Sequence, residues 1–169
     1  MNAAEVIVRS LEKHGITCVF GVPGGAIESL NTALYKSSIT VIVAKHEEGA
    51  AFMADGYARV SGAIAVCCST AGPGATNMIT GIASAFGDSI PVIALTGQVS
   101  TSLFGKGAIQ EFSVQSFGIV SIFRQISKYS DIIINENKAG EMISKARRLA
   151  LTGRKGPVHL NLPADIMKR

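Results

Sequence analysis

Two hydrophobic patterns alternate along this chain. Segments whose apolar residues recur at helical spacing are separated by short runs that are mostly apolar. The helical pattern covers residues 2–14, where Asn2 and Glu5 form a capping signal, and recurs at residues 26–35, 49–60, 75–86, 110–122 and 138–151. The apolar runs lie at residues 18–20, 40–44, 64–68, 92–96, 126–129 and 158–162. The pattern therefore predicts helices that alternate with buried strands.

This alternation predicts the fold class. No two strands are joined by a two-residue hairpin turn, and strands that are apolar throughout are typical of a parallel sheet covered on both faces. We expect an α/β fold: an open, doubly wound parallel sheet of about six strands with helices on both faces. Ligands of such folds bind beyond the carboxyl ends of the strands, so residues 21–25, 45–49, 69–74 and 97–110 are the candidate site loops.

Length and composition narrow the class of protein. Residues 1–169 fit one domain, and only 17% of them are charged, against about 25% in an ordinary soluble domain, so we expect a large interface with a partner. The net charge of +4 is scattered, which argues against nucleic-acid binding. No apolar stretch approaches the ~20 residues of a membrane span and no export signal precedes the first helix, so we expect a cytoplasmic protein.

The candidate loops contain no self-sufficient catalytic group. The glycine-rich segments at residues 21–25 and 72–74 lack both phosphate-binding fingerprints, and a proline removes a backbone donor from each, which favours a tight turn or a flat ring over a phosphate. Three cysteines and three histidines lack the spacing of a metal site, a disulfide framework or a catalytic triad. Any chemistry is therefore expected to come from a cofactor.

Two adjacent carboxylates, Glu47 and Glu48, follow the second strand. Acidic residues in the first turn of a helix are most often partners of the helix dipole. Because neighbours on a helix point about 100° apart, only one of the two can face a given cleft. The residues alone leave open whether either of them has a role beyond the helix start.

Taken together, the loop motifs resemble one enzyme family over essentially the whole chain. The matching segments are Phe20-Gly21-Val22-Pro23-Gly24-Gly25-Ala26, His46-Glu47-Glu48-Gly49-Ala50, Gly56-Tyr57-Ala58-Arg59, residues 69–77, Ser89-Ile90-Pro91-Val92, Thr96-Gly97-Gln98, Gln110-Glu111, Gly156-Pro157 and Leu162-Pro163. In this order they resemble the N-terminal, pyrimidine-binding domain of thiamine diphosphate enzymes, particularly the acetolactate (acetohydroxyacid) synthase group.

The resemblance implies roles for individual residues. Glu47 is expected to be catalytic, hydrogen-bonding the aminopyrimidine ring of the cofactor so that the ring can remove the thiazolium carbon proton, and Glu48 is expected to be secondary. Thr70, Pro73 and Asn77 are expected to lie against the pyrimidine ring or the dimer contact, and Gly25 to border the thiazolium ring. Gln110 matches a glutamine near the reacting centre, and no residue of this chain is expected to bind metal.

The resemblance also implies cofactors and partners. It implies thiamine diphosphate, Mg²⁺ held by a diphosphate-binding domain outside this chain, and room for FAD in the full-length enzyme. Because the family's site lies between subunits, a homodimer or homotetramer is expected, with residues 47–57 and 72–86 at the contact with the diphosphate-binding domain of a partner subunit. The chain is expected to be an excised domain rather than a natural split subunit, and not to turn over substrate alone.

Several functions stay open at this point. Gly105-Lys106-Gly107-Ala108-Ile109 replaces a stretch that carries an aspartate and a phenylalanine in the synthases. A carboligase that joins the two-carbon unit of pyruvate to a second 2-keto acid, as in branched-chain amino acid biosynthesis, is the first hypothesis. Another thiamine diphosphate-dependent decarboxylase or acyltransferase, such as a sulfoacetaldehyde acetyltransferase, is the second. A non-catalytic assembly domain and a nucleotide-binding domain are the others.

Overall fold

A six-stranded sheet forms the centre of the molecule in a computed structural model that describes residues 1–112 and 118–169. Every strand pairing among the described residues is parallel, and the strand order is β2-β1-β3-β4-β6-β5. The strands are β1 (Cys18–Gly21), β2 (Thr40–Val43), β3 (Ala65–Ser69), β4 (Val92–Gln98), β5 (Ser130–Ile132) and β6 (Val158–Pro163). The predicted parallel sheet is confirmed.

Helices cover both faces of this sheet, as predicted. They are α1 (Ala3–Lys13), α2 (Glu28–Tyr35), α3 (Glu47–Ser61), α4 (Pro73–Asn77), α5 (Ile79–Gly87), α6 (Ile119–Arg124), α7 (Ala139–Leu151) and α8 (Ala164–Met167). One apolar core lies between the sheet and helices α1, α2, α7 and α8. A second core lies between the opposite face of the sheet and helices α3, α4, α5 and α6. Cys67 points into the second core and Cys68 into the first, the opposite orientations that consecutive strand residues predict.

The edge strand β2 differs from the prediction. Its sequence is apolar, yet Val41, Ile42 and Val43 are 39%, 38% and 63% exposed. The reason is its place in the sheet, because β2 pairs with β1 on one side and closes that edge of the order. An apolar run predicts a strand, but burial also requires neighbours on both faces, and β2 contacts little beyond β1.

The strand predicted at residues 126–129 is wrong by several positions. The strand β5 begins at Ser130, and the preceding segment turns, with the Ser127 hydroxyl donating to the carbonyls of Phe123 and Tyr129. The buried position of β5 is a serine, so the apolar-run criterion selected the wrong segment. Polar satisfaction, rather than hydrophobicity, defines this edge strand.

The helices around the fourth strand also differ from the pattern. The predicted helix at 110–122 is wrong at its start, since Gln110 has a φ of +62°, and the observed helix is Ile119–Arg124. Residues 113–117 of that prediction lie outside the described residues. The helix predicted at 75–86 is two short helices, α4 and α5, that meet at Met78.

A chain of buried hydrogen bonds crosses the sheet at its β5 end, and its direction can be assigned. The Ser130 hydroxyl donates to the Val120 carbonyl at 2.8 Å, so it accepts from His159 Nδ1 at 2.7 Å. His159 Nε2 then accepts from the Thr96 hydroxyl at 2.7 Å, and that hydroxyl accepts from Asn161 Nδ2 at 2.8 Å. His159 is thus neutral, with its proton on Nδ1.

None of the helices in residues 1–112 and 118–169 is both long and apolar enough to span a membrane.

Candidate functional site

The candidate site lies where the strand order reverses. The chain passes from β1 to β2 on one side and from β2 back to β3 on the other, so the carboxyl ends of β1 and β3 are neighbours. A crevice at such a switch point is where open parallel sheets bind ligands. The loops that follow β1, β3 and β4 converge there with the start of α3.

Glu47 is the first residue of α3 and is half-buried. The helix is capped by His46, whose Nδ1 accepts from the backbone N–H of Glu48 at 3.2 Å. Asn77, the last residue of α4, donates from Nδ2 to Glu47 Oε2 at 3.0 Å. One carboxylate oxygen is therefore held in place, and Oε1 accepts no hydrogen bond from the described residues.

This contact distinguishes the two adjacent glutamates. Glu47 lies beside the loop after β3, as the resemblance implies, whereas no side-chain contact of Glu48 to that loop is found among the described residues. The carboxylate of Glu47 also faces the N-terminal end of its own helix, where backbone N–H groups stabilise negative charge. The site thus contains an oriented carboxylate with one oxygen available to a ligand.

Glycines bring the surrounding loops unusually close to Thr70. A Cβ on Gly24 would lie 2.5 Å from Thr70 Cβ, and a Cβ on Gly74 would lie 2.8 Å from Thr70 Cγ2 and 3.2 Å from Glu47 Oε1. Any larger residue at these positions would collide with the threonine or cover the carboxylate. The floor of the site is therefore built of backbone, which suits the close approach of a flat ring.

Gly25, Pro73 and Gln110 lie at the rim. All three are exposed, and Pro73 begins α4 directly after Gly72. Gly72 has a φ of +61°, and a Cβ there would lie 2.9 Å from Gln110 Cα. The structure thus places the tip of the loop after β4 against the start of α4.

The six predicted site residues therefore form one neighbourhood, but to different degrees. Asn77 contacts Glu47, and Thr70 and Glu47 both lie close to Gly74. Gln110 lies against Gly72, and Gly25 borders open space, since a Cβ there would meet nothing within 4 Å. Their roles toward a ligand stay predictions.

Sequence reasoning overlooked two kinds of residue. Gly24 and Gly74 lie in segments that the sequence predicts as tight turns or neighbours of a flat ring, but it does not predict their contacts to Thr70, which shape the floor. Their positions beside β1 and β3 of a switch point were the available signal. The carboxylate of Glu111, which organises the rim loop, gave no sequence signal beyond its place next to Gln110.

Among the residues that the structure describes, no group of three or more histidine, cysteine, aspartate or glutamate side chains could hold a metal ion.

Comparison with known proteins identifies the family of this chain. The family model "Thiamine pyrophosphate enzyme, N-terminal TPP binding domain" matches residues 1–117. A probable acetolactate synthase large subunit of Methanocaldococcus jannaschii is 47% identical over 98% of this chain and 27% of its own length. Acetolactate synthase isozyme 2 large subunit of Escherichia coli is 42% identical over 98% of this chain and 29% of its own length. Acetolactate synthase 2, chloroplastic, of Nicotiana tabacum is 40% identical over 99% of this chain and 25% of its own length.

The chain thus spans about a quarter of the length of these curated relatives. Because the family model covers more than half of the chain and the relatives align over nearly all of it, the shared sequence includes every loop of the candidate site. The chain belongs to the family of thiamine pyrophosphate enzymes, as their N-terminal TPP binding domain.

Proposed function

We propose that this chain forms the pyrimidine-binding half of the thiamine diphosphate site of an acetolactate synthase. The observation that carries the proposal is the Glu47 carboxylate, which Asn77 holds at the switch point of the sheet with Oε1 left for a ligand. In the proposed reaction, pyruvate is decarboxylated and its two-carbon unit is joined to a second 2-keto acid. The names of the relatives, acetolactate synthase large subunits, support this reaction, and the family supports the cofactor.

The residues present fit the cofactor. A flat aminopyrimidine needs a narrow slot and an oriented hydrogen-bond partner, and the structure offers backbone at Gly24 and Gly74 around Thr70, with Glu47 Oε1 beside them. In this proposal Thr70, Pro73 and Asn77 line the pyrimidine side and Gly25 borders the thiazolium side. Thiamine diphosphate, when bound, supplies the carbon that adds to a keto group and accommodates the electrons left by decarboxylation.

The chain's own contribution is then proton placement. Glu47 would hold a proton between Oε1 and a ring nitrogen, and Asn77 would keep the carboxylate from rotating by binding Oε2. The half-buried position limits access of water to this proton, and a drier surrounding strengthens the hydrogen bond.

Further components are part of the same proposal. Mg²⁺ and the diphosphate would be held by a diphosphate-binding domain of a partner subunit, and FAD by a middle domain of the full-length enzyme. A homodimer or homotetramer is supported by apolar side chains on the surface: Phe52 and Met53 of α3 and Phe86 of α5 are 42%, 44% and 38% exposed. Exposed apolar clusters of this kind mark interaction surfaces.

Asn77 offers a test of how Glu47 is held. In full-length protein, Asn77→Ala removes the donor to Oε2, and we expect kcat to fall by about 10- to 100-fold, because a hydrogen bond to a charged group is worth roughly 1.5–3 kcal/mol. Asn77→Asp places a second carboxylate against the first and should lose at least as much. Asn31→Ala, on α2, is the matched control and should keep wild-type kcat. A wild-type kcat in both Asn77 variants would contradict the holding role.

The proposal as a whole is tested by calorimetric titration with thiamine diphosphate and Mg²⁺. The chain is titrated alone and then mixed with a separately produced diphosphate-binding domain of the same protein. Binding only in the mixture, lost in Glu47→Gln, is the expected result. Absence of binding in both, with both domains folded, would reject the proposal in favour of a non-catalytic assembly domain.

The departure at residues 105–109 keeps a second candidate, an acyltransferase or decarboxylase with the same cofactor. Product analysis of the full-length protein with pyruvate distinguishes the two. Acetolactate supports the synthase, whereas acetaldehyde or an acetyl group transferred to another acceptor supports the second candidate.

A further inference from the structure

The loop after β4 contains a turn that is closed by its own side chain. Gly105 and Gly107 both have a positive φ, +72° and +67°, which points their backbone N–H groups into a common concavity. Concavities of this kind bind anions. Here the anion is the Glu111 carboxylate, which accepts from the N–H of Gly105 at 2.5 Å through Oε1 and from that of Gly107 at 3.2 Å through Oε2.

The same residue closes the turn a second time. The backbone N–H of Glu111 donates to the Ala108 carbonyl at 3.0 Å. Residues 105–111 therefore form a ring that the side chain and the backbone N–H of Glu111 both close. Hydrogen bonds in which a carboxylate accepts from backbone N–H groups are roughly twice as strong as neutral ones. Two such bonds and one backbone hydrogen bond, all made by Glu111, fix the shape of the turn.

Gln110 is inside this ring and has a strained backbone. Its φ of +62° is uncommon for a residue other than glycine and costs about 1–2 kcal/mol. The conformation brings Gln110 Cα against Gly72, whose own positive φ and lack of a Cβ make room for it. A strained exposed residue persists only where its surroundings hold it, and here the surroundings are the Glu111 turn on one side and the start of α4 on the other.

The loop is also fixed at its beginning. The backbone N–H and hydroxyl of Thr101 donate to the Asp165 carboxylate at 2.8 and 2.7 Å, and the N–H of Val99 donates to Gln98 Oε1 at 2.9 Å. Between these anchors and Gln110, the conformation of the loop therefore depends on the turn that Glu111 closes.

We propose that Glu111 is a positioning residue for Gln110: its carboxylate closes the turn at residues 105–107 and so holds the Gln110 side chain at the rim of the site, where a 2-keto acid substrate would meet it. The statement that Gln110 meets the substrate rests on the proposed function, together with the resemblance, which implies a glutamine near the reacting centre at this position. Glu111 would thus affect the reaction through the backbone of the loop. The proposal also explains the glycines at positions 105 and 107, in the segment where this sequence differs from the synthases.

The closure of the turn by Glu111, called the Glu111 clamp below, is tested by amide hydrogen exchange in the full-length protein, without any turnover. We expect exchange at Gly105 and Gly107 to be about tenfold or more faster in Glu111→Gln than in wild type. The amide has a single oxygen, so one charge-assisted hydrogen bond becomes a weaker neutral one and the other is lost, because an NH₂ group cannot accept. Glu111→Asp, which keeps the charge but shortens the reach, should lie between them. Glu141→Gln, an exposed glutamate on α7, is the matched control and should leave exchange unchanged. Unchanged exchange in both Glu111 variants overturns the proposal.

The link to Gln110 is tested by a double-mutant cycle with pyruvate as substrate. Glu111→Gln and Gln110→Ala should each lower kcat/KM by about 10- to 100-fold with the affinity for thiamine diphosphate unchanged, since misplacing a substrate-contacting group by about 1 Å has an effect of this size. The double variant should be no worse than Gln110→Ala alone. Multiplied losses, or an equal loss of thiamine diphosphate affinity, overturn the positioning role.

The two experiments separate the inference from the function on which it rests. Full-length wild-type protein that binds thiamine diphosphate but leaves pyruvate unconsumed rejects the proposed reaction and, with it, the substrate role of Gln110. In that case the exchange experiment still decides whether Glu111 holds the turn.

Discussion

Glu47→Gln is expected to lower kcat of the full-length protein by about 10²- to 10⁴-fold, the range that a positioned proton-transferring group contributes. The amide is nearly the same shape as the carboxylate, and its oxygen can still accept from Asn77 Nδ2, so the fold and the start of α3 should be retained. What the variant loses is the ability to hold a proton at Oε1. The direct measurement is the rate at which deuterium replaces the thiazolium carbon proton of bound thiamine diphosphate, which should fall by the same factor as kcat.

The adjacent residue provides the control for this prediction. Glu48 has the same charge, belongs to the same helical turn and is also half-buried, yet it points about 100° away from Glu47. Glu48→Gln should therefore keep proton exchange close to the wild-type rate. Equal losses in the two variants would show that negative charge in the first turn of α3 matters, and not the carboxylate of Glu47 in particular.

The stability of the isolated chain is expected to fall by about 1.4 kcal/mol between about pH 7.5 and about pH 5.5, because of His159. Complete burial lowers the pKa of this imidazole from 6.5 to about 3. In the unfolded chain the histidine binds a proton below pH 6.5, and in the folded chain it does not do so until about pH 3. Acid therefore favours the unfolded chain across this window, and the free energy of unfolding rises with pH.

Urea unfolding at the two pH values measures this loss. His159→Gln should remove most of the pH dependence while lowering stability at both values, since it also removes the ring that stacks on Phe123 at a centroid distance of 4.0 Å. His14→Gln is the control. Burial also lowers the pKa of His14, but its ring is only partly covered, so this variant should keep most of the pH dependence. A full pH dependence in His159→Gln would contradict the prediction.

Nuclear magnetic resonance gives a second readout that needs no unfolding. The His159 ring signals should show the proton on Nδ1 and should not titrate between about pH 7.5 and about pH 4.5, because a second proton would face the Thr96 hydroxyl that already donates to Nε2. Titration of this ring near pH 6.5 would contradict the buried, neutral assignment.

The alternation of helices and strands is predictable because the central strands are buried on both faces and therefore largely apolar. The prediction was wrong where this condition ends. β5 begins at Ser130, whose hydroxyl is satisfied by His159 and Val120, and a hydrophobicity pattern carries no information about such partners. β2 has the predicted position but not the predicted burial, since its exposure depends on what lies beyond its outer edge.

The site was predictable as a set of loops, but its internal contacts were not. Strand ends in a parallel sheet converge, so the order of the loops was enough to collect Glu47, Thr70 and Gln110 into one region. The choice between Glu47 and Glu48 depends on Asn77, which is distant in sequence and approaches only because α4 ends beside α3. Likewise, the Glu111 clamp depends on where the backbone N–H groups of Gly105 and Gly107 point, and residue types alone do not predict this.

The backbone floor around Thr70 also limits how this site can diverge. Every residue other than glycine adds at least a Cβ, and at Gly24 and Gly74 that single atom would already lie 2.5 and 2.8 Å from atoms of Thr70. Stepwise substitution therefore has no viable first step at the floor, whereas a Cβ at Gly25, which has no positive φ, meets nothing within 4 Å. Descendants of this sequence should keep the floor and change substrate preference through the rim, so the loop at residues 105–109 is where new specificities are expected to arise first.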